Sequence, residues 1–385
     1  MNPDASLEVP KSSHGAIVGS IERPLHELFP RLRDEAPFAA LAELPTPCEA
    51  LCIDGVSDRV FVKRDDRSAG IYGGNKLRTL EALFGAARRA GFQRVVSTGA
   101  FGSNHAVATV LHAPRAGLAS GVLLSPQPGS ATALDNLRVA VHFSDKRVIL
   151  PHWSCIPLGI WGWRWSEPGA YVMPPGGAVP KGALGYVSAA LELAQQIARH
   201  ALPAPDRIVL PVGSTCTTAG LLLGMLLVKR LGLGFERGVP KIHAVRVTPW
   251  PVTSVFRIVD LARRTALYLA NATGRHELAF SKRELSQALH VDPGFLGAGY
   301  GRPLAAGRAT ARVLGQFGDT LDSTYSLKAA GALLEVARAS DEVVLFWATK
   351  SSAPLPAVPN DWLHAQPSFV KRWVYALDAA ARHPK

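Results

Sequence analysis

The 385-residue sequence predicts an α/β protein with two lobes, each built on a mostly parallel, twisted sheet flanked by helices. Several short β-branched runs end in Gly, Ser, Thr or Pro and are followed by apolar residues at helical spacing, which is typical of βα units. The chain is also longer than one hydrophobic core usually supports, and 48% of its residues are hydrophobic. Two compact lobes are therefore expected.

Four strand ends organise the predicted sheets. The predicted strands are 94–98, followed by a helix over 105–118; 207–212, followed by a helix over 219–231; 241–247, ended by Thr248-Pro249; and 342–347, ended by Ala348-Thr349. Ligands of open α/β sheets bind beyond the carboxyl ends of the strands. The loops after these strands are therefore the predicted place of the chemistry.

The order of these elements suggests a division into domains. The predicted large domain consists of residues 36–78 and 188–349, and the predicted small domain of residues 79–187. A poorly structured N-terminal arm is predicted for residues 1–35 and a C-terminal extension for residues 350–385. The extension has an amphipathic pattern, which predicts a helix that docks on the chain's own core or on a dimer partner. The Trp-, Gly- and Pro-rich stretch 152–180 is predicted to be a long irregular connection whose tryptophans pack between the lobes. Alternatively, it forms a substrate lid in which Arg164 reaches a carboxylate.

Composition argues against several functional classes. The net charge is +12, but the basic residues are scattered in short pairs, whereas nucleic-acid-binding proteins usually cluster them. The apolar run 220–228 is too short to span a membrane, and the first residues do not resemble a secretion signal, so a cytoplasmic location is expected. The four cysteines form no Cys-x-x-Cys pair, and neither a disulfide framework nor a metal site is predicted. P-loop, zincin and α/β-hydrolase signatures are missing from the sequence.

A lysine follows two glycines at a predicted helix start. The segment Gly73-Gly-Asn-Lys-Leu-Arg-Thr-Leu-Glu81 places Lys76 just inside the helix, where the glycines allow backbone and ligand to approach closely. An isolated lysine is usually a solvated surface charge. A lysine that forms a Schiff base needs a partly desolvated setting, which a glycine-rich loop between lobes can supply.

A second candidate is the small-residue loop Gly213-Ser-Thr-Cys-Thr-Thr-Ala-Gly220. Its backbone N–H groups and hydroxyls lie at the positive end of a predicted helix and can hold a phosphate. The alternative interpretation is an ordinary βα turn in which Thr217 or Thr218 is the helix N-cap.

These segments belong to a longer ordered set. Four motifs follow one another in the order found in D-cysteine desulfhydrases and 1-aminocyclopropane-1-carboxylate (ACC) deaminases. They are Gly73-Gly-Asn-Lys-Leu-Arg78, Gly102-Ser-Asn-His105, Pro174-Pro-Gly-Gly-Ala-Val-Pro-Lys-Gly-Ala-Leu-Gly-Tyr186 and Gly299-Tyr-Gly-Arg-Pro303. The sequence resembles these families from about Leu44 to Thr349. The resemblance implies pyridoxal 5'-phosphate (PLP) fold type II, with the cofactor held between the lobes.

The resemblance also implies a role for each matched residue. Lys76 would carry PLP as a Schiff base and act as a catalytic base, Asn104 would bond the phenolic oxygen, and Thr349 would face the pyridine nitrogen. The phosphate would lie against Gly213, Ser214, Thr215, Cys216, Thr217 and Thr218. Ser103 and Tyr300 would be catalytic residues beside the reacting carbon, and the substrate-binding set would be Asn75, Ser103, His105 and Tyr300. The structural alternatives are a helix N-cap for Ser103, a turn tyrosine for Tyr300 and a packing group for His105.

The sequence departs from the family pattern at several positions. Gly102 stands where these families usually place glutamine. Cys216 and Thr218 replace residues that are more often glycine and histidine or glutamine, and Lys350-Ser-Ser352 replaces a Gly-Gly pair. These departures leave open a catalytically silent PLP-binding protein.

The predicted function is that of a lyase or deaminase acting on a small amino acid, most simply a D-cysteine-like β-elimination that gives a keto acid and ammonia. ACC ring opening ranks lower because Gly299, and not an acidic residue, precedes Tyr300. β-Replacement and racemase activities remain alternatives on the same scaffold. A homodimer is the expected assembly.

Overall fold

The computed structural model describes residues 20–382 except 54, 57, 251, 298–309, 311–314 and 316–324. Within these residues the strands are β1 Ser20–Ile21, β2 Phe38–Ala39, β3 Cys48–Ala50, β4 Val60–Lys63, β5 Arg94–Ala100, β6 Ala119–Ser125, β7 Lys146–Ile149, β8 Ala170–Met173, β9 Arg207–Val212, β10 Lys241–Arg246, β11 Leu289–Asp292 and β12 Val344–Trp347. The α-helices are α1 Pro24–Leu28, α2 Leu32–Glu35, α3 Asn75–Arg89, α4 Asn104–His112, α5 Ala131–His142, α6 Ile156–Ser166, α7 Pro180–Ala198, α8 Cys216–Arg230, α9 Val255–Thr273, α10 Lys282–Gln287, α11 Ser326–Ala339 and α12 Ser368–Arg382.

The larger sheet has six strands in the order β11-β10-β9-β12-β4-β3. All neighbouring pairs are parallel except β3 with β4. Its inner strands are apolar on both faces because helices cover both, as is usual for parallel sheets. Helices α7, α8 and α9 pack on one face and α11 packs on the other.

The smaller sheet has four parallel strands in the order β7-β6-β5-β8. Helices α3, α4 and α5 share a buried apolar cluster on one face, and α6 packs on the opposite face through Trp163. The predicted α/β class with two mostly parallel sheets is confirmed. The carboxyl ends of β5 and β9 both lead into loops that face the same cavity.

Three regions differ from or refine the sequence predictions: residues 20–35, the stretch 152–180 and the C-terminal extension. Residues 20–35, predicted to belong to a poorly structured arm, form β1, α1 and α2, with Leu25 and Leu32 fully buried. The stretch 152–180, predicted to be irregular, contains α6 and β8. Its tryptophans do not pack between lobes: Trp163 is buried within the small sheet's own cluster, whereas Trp161 and Trp165 stack on each other at the surface.

The C-terminal extension docks on the chain's own core. Helix α12 buries Val370 and Val374 in the cluster shared by α3, α4 and α5. The indole N–H of Trp373 donates a 2.7 Å hydrogen bond to the carbonyl oxygen of Gln127, and its ring lies edge-on to Phe101 at 5.1 Å between centroids. Of the two alternatives for this helix, packing on its own chain is confirmed.

Candidate active site

A cavity of about 320 Å³ is lined by loops at the ends of both sheets. Its walls are the start of α3, the loop between β5 and α4, the turn at 174–178, the loop between β9 and α8, and the residue that follows β12. The predicted site residues that line it are Asn75, Lys76, Ser103, Asn104, His105, Gly213, Ser214, Thr215, Thr217, Thr218 and Thr349. Segments separated by more than 100 residues therefore meet in one place, as the strand-end rule predicts.

Two predicted residues are not among those walls. The Cys216 thiol is buried and donates to the carbonyl oxygen of Gly177 at 3.2 Å. Burial raises its pKa to about 11, which keeps the thiol protonated at neutral pH. Tyr300 lies outside the described residues.

Lys76 lies in the first turn of α3. Gly74, the preceding N-cap residue, has φ +95°, and a Cβ there would come within 2.7 Å of the Thr349 carbonyl oxygen, so the turn requires glycine. The Lys76 ammonium donates to Ser214 Oγ at 3.2 Å. Removal from water lowers the pKa of this amine, because the low-dielectric surroundings disfavour its charged form. The site therefore favours the nucleophilic, basic form of Lys76.

The loop between β9 and α8 forms an anion cradle. Thr215 is the N-cap of α8 with φ +70°, a strained conformation for a non-glycine residue, and its side chain makes no cap hydrogen bond. The interpretation of Thr217 or Thr218 as the N-cap is therefore wrong. The first backbone N–H groups of a helix have no acceptor within it, and here the first-turn residues Thr217 and Thr218 line the cavity. The buried Thr218 hydroxyl also has no hydrogen-bond partner among the described residues.

Asn104 has its side-chain orientation fixed by two donors. The Tyr72 hydroxyl donates to Asn104 Oδ1 at 3.0 Å, and Asn136 Nδ2 donates to the same oxygen at 2.8 Å. Because the oxygen is occupied twice, the amide nitrogen of Asn104 is the group left to donate to an acceptor in the cavity. Lys350, one of the departures from the family pattern, extends this chain by donating to the Tyr72 hydroxyl at 2.8 Å.

Gly102 and Ser103 lie directly before the first residue of α4. A Cβ at Gly102 would lie 2.8 Å from Gln127 Nε2, and the Gly102 N–H donates to Gln127 Oε1 at 3.0 Å. Gln127 thus fills the space that a side chain at 102 would use. Ser103 is the N-cap of α4, accepting from the Ala106 N–H at 3.2 Å, while it also lines the cavity. The N-cap interpretation of Ser103 is confirmed and is compatible with a place in the site.

His105 is buried behind the α4 start. Ser97 Oγ lies 2.7 Å from Nδ1, and the opposite ring nitrogen, Nε2, has no hydrogen-bond partner among the described residues. Burial, assisted by the charge of Lys76, lowers the pKa of His105 to about 3. The ring is therefore neutral at pH 7, and its unpartnered Nε2 is buried next to Gly177, 3.0 Å from where a Cβ of that glycine would lie.

Asn75 connects two walls of the cavity. Its backbone N–H donates to the carbonyl oxygen of Thr349 at 2.8 Å, and its side-chain amide donates to Thr217 Oγ1 at 2.9 Å. The contacts that Asn75 makes in this structure are thus with the protein itself.

Two residues near the cavity, Tyr325 and Tyr72, were not singled out from the sequence, and the contact that Lys350 makes with Tyr72 was not predicted. The ring of Tyr325 lies close to Gly213, since a Cβ added to Gly213 would be 3.2 Å from Tyr325 Cε1. Tyr72 and Lys350 support Asn104 from behind. The local sequence around Tyr72, Tyr325 and Lys350 does not indicate these contacts, because their partners lie far along the chain.

A buried ionic cluster holds α3 in place. Arg78, two residues after Lys76, bonds both Asp65 and Glu192 at 2.8 to 3.1 Å, and Lys63 donates to Glu192 at 2.6 Å. Burial alone would raise the pKa of both carboxyl groups, but Arg78 more than offsets this and holds the pKa of each below its usual value. The helix bearing Lys76 is thereby tied to β4 and α7.

Outside the cavity, the described residues offer few other reactive groups. His243, His290 and Asp292 lie together with ligand atoms within 4.8 Å of one another, and His243 Nε2 pairs with Asp292 Oδ2 at 3.0 Å. All four cysteines are free thiols. None of the described helices is long and apolar enough to cross a membrane.

Comparison with known proteins assigns the family. Residues 39–292 match the family described as pyridoxal-phosphate dependent enzyme. The chain belongs to this family. Within it, the chain is 34% identical over 327 residues to nocardicin C-9' epimerase from Nocardia uniformis subsp. tsuyamanensis, covering 82% of this chain and 94% of that protein. It is 32% identical over 326 residues to D-cysteine desulfhydrase from Salmonella paratyphi C (strain RKS4594), covering 81% and 90% of the two chains.

A solved structure agrees. The crystal structure of an ACC deaminase homologue superposes with a TM-score of 0.67 at 27% identity, covering 86% of this chain and 96% of that chain. The predicted relationship to D-cysteine desulfhydrases and ACC deaminases and the PLP fold type II class are confirmed. The chain is therefore a PLP-dependent enzyme.

The cavity fits PLP on its own chemistry. A lysine with a lowered pKa faces it, an anion cradle with a partnerless Thr218 hydroxyl lies beside that lysine, and the Asn104 amide nitrogen points in as a donor. We expect Lys76 to bond the cofactor covalently and the loop between β9 and α8 to hold its phosphate. Asn104 would meet the phenolic oxygen, and Thr349 the pyridine nitrogen.

Proposed function

We propose that this PLP-dependent enzyme catalyses β-elimination from a D-cysteine-type amino acid, giving a keto acid and ammonia. The observation that carries the proposal is the acid-base character of the cavity. Its described lining combines one lysine of lowered pKa and Arg257 with hydroxyls, amides and a neutral imidazole, and includes no Asp or Glu.

Each residue then has a limited task. When bound, PLP supplies an electron sink for the negative charge that forms at the substrate's α-carbon. Lys76 Nζ removes the α-proton, and the burial that lowers its pKa favours this role as a base. The Ser103 hydroxyl orients the substrate from the α4 side, and the neutral His105 ring packs behind it.

Elimination suits this cavity better than ring opening. A thiolate or chloride leaves the β-carbon with its bonding electron pair and needs no strong acid, whereas opening a cyclopropane ring requires additional proton transfers to carbon. A neutral Thr349 at the pyridine nitrogen also provides less charge stabilisation there than an aspartate would, which favours elimination over amino-group transfer.

Keto-acid release tests the proposal. D-Cysteine, β-chloro-D-alanine and ACC are compared at equal concentration, with Lys76→Ala as the blank and Lys181→Ala, on α7 outside the described cavity lining, as the matched control. We expect both D-amino acids to be turned over faster than ACC by the wild type and by Lys181→Ala. Faster turnover of ACC would overturn the proposal, as would a pyridoxyl label on any lysine other than Lys76 after borohydride reduction and peptide mapping.

A second candidate function is epimerisation at the α-carbon, which the 34% identity to an epimerase over 82% of the chain favours. Both reactions begin with removal of the α-proton, but they differ in product. Exchange of the α-proton in D₂O without keto-acid release would support epimerisation, and stoichiometric keto acid would support elimination.

A further inference from the structure

A second cavity adjoins the active site. Its volume is about 580 Å³, compared with about 320 Å³ for the first, and Ala178, Thr215 and Arg257 line both. The two cavities are therefore neighbours with a common wall.

The common wall begins beside the reacting amine. A Cβ placed on Gly176 would lie 3.7 Å from Lys76 Nζ, and Ala178 is two residues further along the same turn. The turn at 176–178 therefore runs from the surroundings of Lys76 Nζ to the lining of the second cavity.

The chemistry of the second cavity differs from that of the first. Trp250 and Phe256 border it with 72% and 69% of their surfaces exposed. Such aromatic faces bind planar apolar groups. The Arg257 guanidinium has no ion-pair partner among the described residues, whereas Arg264 is neutralised by Asp260 at 2.8 Å. The cavity therefore offers aromatic contact together with one uncompensated positive charge.

D-Cysteine alone does not use these features. Pockets for complete small ligands measure roughly 300 to 1,000 Å³, so the first cavity already matches a cofactor with a small amino acid. The neighbouring space and its aromatic rim would have no contact with such a substrate, whereas Arg257 lines both cavities.

We propose that the second cavity binds the leaving group of the substrate, and that the substrate class is a β-substituted amino acid whose thioether substituent carries an aromatic ring and a carboxylate. This inference rests on the proposed β-elimination. In the reaction, Lys76 takes the α-proton, the bond between Cβ and sulfur breaks, and the electron pair leaves with the sulfur as a thiolate. The ring lies against Trp250 and Phe256, and the carboxylate pairs with Arg257.

The test compares three substrates with the holoenzyme: S-(4-carboxybenzyl)-D-cysteine, S-benzyl-D-cysteine and β-chloro-D-alanine. We expect kcat/KM for the carboxybenzyl substrate to exceed that for the benzyl substrate by about two- to fivefold, which is what an ion pair with the exposed Arg257 provides. Arg257→Gln should abolish this ratio. Arg263→Gln, on the same helix but not in either described cavity lining, should leave the ratio unchanged.

A binding measurement separates the two proposals. Calorimetry with 4-(mercaptomethyl)benzoate and with benzyl mercaptan reports on the second cavity without any catalysis. We expect the acid to bind about two- to fivefold more tightly in an Arg257-dependent manner. Elimination of β-chloro-D-alanine with no difference between the two thiols would overturn the second-cavity inference alone. Thiol discrimination with no elimination of any substrate would overturn the proposed reaction alone. Loss of a dimer in Trp250→Ala would assign the aromatic rim to a subunit contact and also overturn the inference.

Discussion

Replacing Glu192 with Gln should destabilise the protein more than any single surface substitution. Glu192 accepts hydrogen bonds from Arg78 and Lys63, whose side chains are 2% and 0% exposed, so the variant leaves two buried cations facing Asp65 alone. Breaking a buried ion pair from one side costs about 3 to 5 kcal/mol. An unfolding entropy of about 2.1 cal/mol/K per residue gives about 0.8 kcal/mol/K for 385 residues. The expected fall in Tm is therefore about 4 to 6 °C.

Differential scanning calorimetry measures this change, with Glu342→Gln as the control. Glu342 pairs with Arg207, but their side chains are 32% and 21% exposed. Such a pair contributes less than about 1 kcal/mol, which corresponds to about 1 °C in a chain of this size. If the two variants lower Tm equally, or if Glu192→Gln changes it by less than 1 °C, the buried cluster does not hold α3 as described.

Three further predictions concern the cofactor and pH. Thr217→Asp should weaken PLP binding at least tenfold because its carboxylate would face the phosphate, while Thr217→Val should not, and cofactor titration of the apoenzyme distinguishes them. Lys350→Met and Tyr72→Phe should each weaken PLP binding, and the double variant should be no weaker than the worse single variant because both act through one chain of hydrogen bonds. Finally, burial lowers the pKa of His105 to about 3 and of His112 to about 4, so at mildly acidic pH these two histidines bind protons in the unfolded chain but not in the folded chain. The free energy of unfolding should fall as pH drops from 7 to 5. His112→Gln should reduce the slope of this free energy against pH by up to about 1.4 kcal/mol per pH unit. Equal shifts of the urea midpoint between pH 7 and 5 in wild type and variant would contradict this.

Local signals predicted much of the fold. The predicted strand 207–212 coincides with β9, since a β-branched run ended by Gly213-Ser-Thr is a short-range pattern. Helix α6 was missed because it contains Pro157, Gly159 and Gly162, which have low helix propensity. Pro157 is tolerated because it lies in the first turn, and the packing of Trp163 on the small sheet overrides the glycines.

The candidate site was predicted in its parts but not in its connections. Lys76 and the phosphate loop carry recognisable glycine and small-residue patterns. The orientation of Asn104 depends on Tyr72, Asn136 and Lys350, the last of which lies 246 residues away, and no local pattern encodes such a chain. The second cavity likewise arises where the turn at 178 meets α9, a juxtaposition that only the tertiary fold creates.

The strand order of the larger sheet has a consequence for synthesis of the protein. β12, the last strand in sequence among those described, lies between β9 and β4 in the middle of the sheet, and Thr349 follows it into the cavity wall. During translation β4 and β9 therefore have no common partner until residues 344–347 have left the ribosome. Such long-range pairing folds slowly and exposes unpaired edges in the meantime. A chain cut short before residue 344 would lack both the centre of this sheet and one wall of the cofactor cavity, so neither the sheet nor the binding site can form until residues 344–349 have been synthesised.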